Sequence, residues 1–133
     1  MSVQEMFQTH PDQPSTSPDA FVQCIEECLT CTATCTSCAD ACLGEEDVHE
    51  LVRCIRLNLD CADVCDVTGR LLTRQTEVER ELARQMLEAC TEACRRCAQE
   101  CERHARHHEH CRVCAEACRR CERACNDVLT AIA

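Results

Sequence analysis

The chain has 133 residues, 18 of them cysteine, with 24 acidic against 14 basic residues, a formal net charge of −10 and only two aromatic residues, both Phe. All basic residues are Arg, and so acidic a chain lacks the basic patch that marks a nucleic-acid surface, while no apolar run reaches the length of a membrane span. Leu, Ile, Val and Phe total 24, a level that with this net charge argues against an ordinary aliphatic core; thiols that bury as small hydrophobes and bind metal as thiolates are the candidate substitute.

The start, MSVQEMFQTHPDQPSTSPDA, shows no basic n-region before an apolar stretch, no twin arginine and no cleavage pattern, so a cytoplasmic location is expected. Thiols stay reduced there, which tilts the cysteines toward metal and away from disulfides. Residues 1–16, rich in Pro, Ser and Gln, are expected to form a flexible tail. A single domain is expected over 17–133.

The first helix is expected at about 18–43. Ser17 is placed as its N-cap, with Pro18 and Asp19 in the first turn, and Gly44 as its stop. Its segment CIEECLTCTATCTSCADAC sets Cys24, Cys28, Cys31, Cys35, Cys38 and Cys42 at alternating gaps of four and three, a spacing that returns to one helical face. The seam is made of sulfur. A second helix, about 46–73, opens on the acids of EED and carries Cys54, Cys61 and Cys65, with Asn58 in the seam slot between the first two. Asn58 is read either as a weak oxygen ligand or hydrogen-bond donor to thiolates, or as a buried polar residue fixing register.

A third helix, about 77–106, follows a capping box at TEVE, Thr76 to Glu79, and holds Cys90, Cys94, Cys97 and Cys101. The fourth, about 108–131, holds Cys111, Cys114, Cys118, Cys121 and Cys125. The last two helices share the frame C-x-E-A-C-R-R-C-x-x-x-C in CTEACRRCAQEC and CAEACRRCERAC, one design used twice. Glu92 with Arg96 and Glu116 with Arg120, four apart, are read as solvated pairs.

The fold class is therefore all-α: an antiparallel up-down-up-down four-helix bundle with a cysteine-lined core. Its ends differ. Phe21, Leu72, Leu87, Val128 and Ile132 collect at one end as an apolar plug. At the other the seams run on through His104 and His108 and back to His107, and His110 stands beside Cys111. That end is expected to be the mouth, where loading begins, with His104 and His108 pointing inward.

Soft thiolates suit Cu(I), Zn and iron–sulfur clusters. Zinc sites prefer discrete tetrahedra built on turns, and iron–sulfur loops wrap a cluster, whereas these thiols lie along straight helices. Cu(I) accepts two or three sulfurs, so bridging thiolates satisfy many ions at about one per cysteine. Disulfides within a helix would distort it, since the Cβ separations exceed the usual 3.8 Å or so, and cross-helix disulfides, though feasible, are disfavoured in a reducing compartment. Zinc or iron–sulfur binding and thiol redox chemistry stand as alternatives, although an enzyme would show a few differentiated residues around a pocket, not one repeated ligand.

The quoted segments, together with CIRLNLDCADVC and CRVCAEACRRCERAC, resemble the Cys-rich four-helix-bundle copper storage proteins of bacteria over about 18–132. The resemblance implies many Cu(I) ions per chain, homotetramers of bundles, one polar end for copper access and, without an export signal, the cytosolic branch. A copper chaperone or small-molecule thiol is the expected exchange partner. Val48, Val52, Ile55 and Leu59 form an apolar stripe on the second helix, read as a contact between copies.

Overall fold

Heptad seams of thiols build a ring of four helices in the computed structural model, which describes residues 2–13 and 17–133. Its elements are α1 (Val3–Gln8), α2 (Pro18–Leu43), a 3₁₀ turn (Val48–Glu50), α3 (Val52–Thr73), α4 (Arg80–His104) and α5 (Glu109–Ile132). α2 packs on α3, α3 on α4, α4 on α5, and α5 closes back on α2. Each helix is antiparallel to its neighbours: Cys24 near the start of α2 meets Cys125 near the end of α5 at 3.7 Å, and Cys54 near the start of α3 meets Cys101 near the end of α4 at 3.8 Å.

All eighteen cysteines are free and buried. Short side chains let the helices approach closely, most of all at Gly69, where an added Cβ would lie 3.3 Å from the Cβ of Cys28. The plug forms as expected from Phe21, Leu72, Leu87 and Val128, all buried, with Ile132 partly buried against them.

The expected tail over 1–16 needs correcting. Met1 and residues 14–16 lie outside the described residues, but Val3–Gln8 is helical and Phe7 is buried beside Pro18 and Val22. One of the chain's two aromatic rings supplies enough apolar area to dock a short helix on α2, a local anchor that average composition hides.

Several expected ends also shift. Ser17 makes no side-chain cap; its carbonyl accepts from the N–H groups of Ala20 and Phe21 instead. Gly44 ends α2 with right-handed backbone, φ −87°. The second helix starts late because Leu51, fully buried, turns inward between the 3₁₀ turn and α3. The TEVE capping box does not form: Glu77 adopts φ 52°, α4 begins at Arg80, and the Thr76 hydroxyl sits 3.5 Å from His10 Nε2. Among surface pairs, Arg96 Nε donates to Glu92 at 2.6 Å, but Glu116 pairs with Arg112 and Arg120 reaches Glu27 on α2.

Candidate metal centre

The inward faces of the four helices bring Sγ atoms into contiguous quartets, in each of which the sulfurs lie within 4.8 Å of one another. Moving from the plug, they include Cys28, Cys90, Cys121 and Cys125; Cys31, Cys65, Cys94 and Cys121; Cys31, Cys35, Cys61 and Cys118; and Cys35, Cys97, Cys114 and Cys118. Successive quartets share corners at Cys121, at Cys31, and at Cys35 with Cys118. A shared corner is a bridging thiol. Cys24 extends the array past Cys125 at 3.7 Å.

Sulfur–sulfur contacts run from 3.5 Å, Cys35 to Cys118, to 4.0 Å, Cys35 to Cys97. A metal–sulfur bond near 2.3 Å places sulfurs about 4.0 Å apart around a trigonal ion and about 3.8 Å apart around a tetrahedral one, so distance alone admits both. Charge separates them. The buried polar or charged side chains are Asn58, Thr68 and Glu100, with no buried cation among the described residues. A divalent ion held by four thiolates leaves two negative charges unbalanced in that core, at the high cost of burying unpaired charge. A monovalent ion at each bridging thiolate leaves none.

Asn58, fully buried, lies between the inner quartets and the mouth. Its Oδ1 accepts from Cys97 at 3.0 Å, Cys114 at 3.3 Å and Cys101 at 3.4 Å, and its Nδ2 donates to Cys54 at 3.7 Å. Beyond it stand Cys38, Cys42, Cys54 and Cys111 as the last quartet.

Three histidines rim that quartet, each tied to a carboxylate. His110 Nδ1 lies 3.4 Å from Cys38 Sγ and 3.7 Å from Cys111 Sγ, while its Nε2 donates to Glu45 at 2.9 Å. His108 places Nδ1 2.7 Å from Glu45 and Nε2 3.1 Å from Asp47, and its ring stacks on His110 with centroids 5.5 Å apart. The hydrogen bond to Asp47, with Glu45 close by, holds His108 above the usual imidazole range. Reciprocally, the hydrogen bond from His110 lowers Glu45 and that from His108 lowers Asp47. His104 Nε2 sits 2.9 Å from Glu100, a buried carboxylate that also receives Arg103 at 3.1 Å and Arg53 at 3.5 Å.

A match to the profile described as "Csp: Copper storage protein" covers residues 17–130, the whole thiol array. The chain belongs to the copper storage protein family. It is similar to the copper storage protein Ccsp of Streptomyces lividans, solved loaded with 10 copper equivalents, at 48% identity and a TM-score of 0.95 over 97% of this chain and 98% of that one. A Cu(I)-bound copper storage protein, BsCsp3, is 36% identical with a TM-score of 0.69 over 78% of this chain and 92% of its own. The uncharacterized cysteine-rich protein YhjQ of Bacillus subtilis (strain 168) is 34% identical over 59 residues; the match spans 44% of this chain and 55% of that protein's length.

Within this copper storage fold, every cysteine singled out from the sequence lies in the core. The histidines need redistribution. His110, not His104 or His108, is the one aimed at thiols; His108 has both ring nitrogens on carboxylates, and His107 is exposed. His104, the last residue of α4, keeps its helical direction but spends Nε2 on Glu100 one turn back; for His108 the seam arithmetic fails because the chain turns before α5. Glu45, Asp47 and Glu100 were not singled out as site residues. The acids of EED carry a usable signal only as the link joining Cys42 to Cys54, which puts them over the mouth.

Proposed function

We propose that the protein stores and buffers many Cu(I) ions as thiolate-bound cargo inside the bundle, in the cytosol, and catalyses no reaction. The observation that carries this reading is corner-sharing among sulfur quartets in a core without cations: copper replaces protons one for one and the core stays neutral. Repetition of one ligand along the axis supplies capacity, whereas a catalyst needs differentiated groups around a substrate. The copper-loaded and cytosolic descriptions of the Streptomyces lividans relative support the cargo and the compartment. No helix among the described residues is long and apolar enough to cross a membrane.

Copper reaches the array through the mouth, where His110 adjoins Cys38 and Cys111, and is exchanged with a copper chaperone or a small-molecule thiol. The copies assemble as homotetramers through the α3 stripe, on which Val52 is 63% and Leu59 44% exposed; a monomeric mass at micromolar concentration would reject that assembly. Anaerobic titration of the reduced protein, followed by native mass spectrometry, tests storage itself. Binding should approach about one Cu(I) per cysteine, and saturation at about four or five ions would point to tetrahedral zinc-type sites instead.

A further inference from the structure

We propose that Glu45, in the link between α2 and α3, is the positioning residue that makes His110 a competent first acceptor of copper, an inference that rests on the storage reading above. One carboxylate oxygen of Glu45, Oε2, lies 2.9 Å from His110 Nε2 and 2.7 Å from His108 Nδ1. An ionised carboxylate only accepts hydrogen bonds, and a neutral imidazole has one donor and one acceptor nitrogen. The proton of His110 is therefore held on Nε2, and the lone pair is on Nδ1, which faces Cys38 at 3.4 Å and Cys111 at 3.7 Å. No other described residue hydrogen-bonds Nε2 of His110. Without Glu45 the ring loses its tautomer preference, and half-productive forms turn an N–H toward the thiols.

His108 has a different part. Both its nitrogens are engaged, by Glu45 and by Asp47, so no lone pair is free for copper while these bonds stand. It buttresses Glu45 from the far side and stacks on His110. The mouth is thus a relay, Asp47 to His108 to Glu45 to His110 to Cys38, in which one ring faces the thiols and the other holds the carboxylate. Partners of this kind around a metal-binding imidazole fix its tautomer and orientation, and their loss typically costs 10- to 100-fold in affinity or activity.

The isosteric variant E45Q tests this. Its amide can either accept from or donate to Nε2, so tautomer control is lost while shape is kept. Nitrogen-15 NMR of the copper-free, reduced protein should show His110 protonated at Nε2 in the wild type and as a mixture of tautomers in E45Q. Stopped-flow uptake of Cu(I) should slow by about 10-fold in E45Q, the lower end of the range for such partners, and by as much in H110A; E45Q/H110A should be no slower than H110A alone. An unchanged tautomer in E45Q overturns the proposal. So does equal slowing by E45Q in the H110A background, because Glu45 would then act by attracting cations and not through the ring. Copper capacity of the wild type is read separately: a low capacity defeats the storage reading, while the tautomer result stands on the copper-free protein.

Discussion

A buried thiol with no cation beside it keeps its proton. Cys42 shows this: burial pushes its thiol from an ordinary 9.0 up to about 11. At neutral pH each Cu(I) therefore displaces a proton, and loading in weak buffer should release about one proton per ion, measurable by pH-stat. The same shift fixes a stability trend. A thiol whose folded value is raised binds its proton more tightly in the native state, so its contribution is intact below pH 9 and is lost as pH rises toward 11. Thermal unfolding of the reduced, copper-free protein from pH 8 to 11 should show a falling midpoint across that interval; a flat profile would mean that the array is not held as neutral thiols. Asn58 is the exception among the seam residues. Three thiols donate to its Oδ1, and once copper removes their protons that oxygen faces sulfur lone pairs, so the amide must bind copper or turn its NH₂ inward. Asn58→Leu, similar in size and apolar, should slow filling of the quartets beyond Cys97 and Cys114 more than filling of the Cys38, Cys42, Cys54 and Cys111 group. Inner filling at the wild-type rate would remove the amide from the path.

Among the elements, α2 and α3 depend on close approach. Gly69 sits where any side chain meets Cys28, and Gly69→Val should destabilise the copper-free bundle by about 1–3 kcal/mol through overpacking. Chemical denaturation of the reduced protein measures it; an unchanged midpoint would show that the helices separate there without strain. Other helix pairs are bridged at the surface by Arg119 to Glu102, Arg120 to Glu27 and Arg53 to Glu100. The first two are largely solvated and contribute little, each up to about 1 kcal/mol, whereas Glu100 of the third is buried. The α2–α3 link supplies Glu45 and Asp47, and the α4–α5 turn supplies His108, so the mouth is assembled from two connections that meet only because the bundle is antiparallel.

At the scale of the molecule, few aliphatic side chains hold the fold together, and cargo adds what they lack. Copper bound only by the native state stabilises by mass action, about 4 kcal/mol for a site when free copper is a thousandfold above its dissociation constant. The unfolding midpoint should therefore climb stepwise with copper equivalents and fall back when a strong Cu(I) chelator is added. A midpoint independent of copper would mean that the ions sit outside the folded core. The two ends divide the remaining work. Phe21, Leu72, Leu87 and Val128 are buried at one, and the docked helix α1 packs on α2; the proposed exchange is at the opposite, histidine end.

The periodicity of cysteine by itself determined the helices and a sulfur core, because alternating steps of three and four are a statement about angle around a helix, and the short connectors determined their antiparallel order. The sulfur chemistry, softness and bridging, was equally legible from the residue type. Tertiary structure alone decided which sulfurs share corners, since that depends on the axial stagger of four helices. It also decided the mouth. Heptad counting placed His108 inward, but counting holds only while the backbone stays helical; past His104 the chain turns, and the direction of His108 and His110 is set by contacts with a link some sixty residues earlier. Phe7 was hidden for a related reason: a single anchor is invisible in an average composition until there is a surface for it to cover.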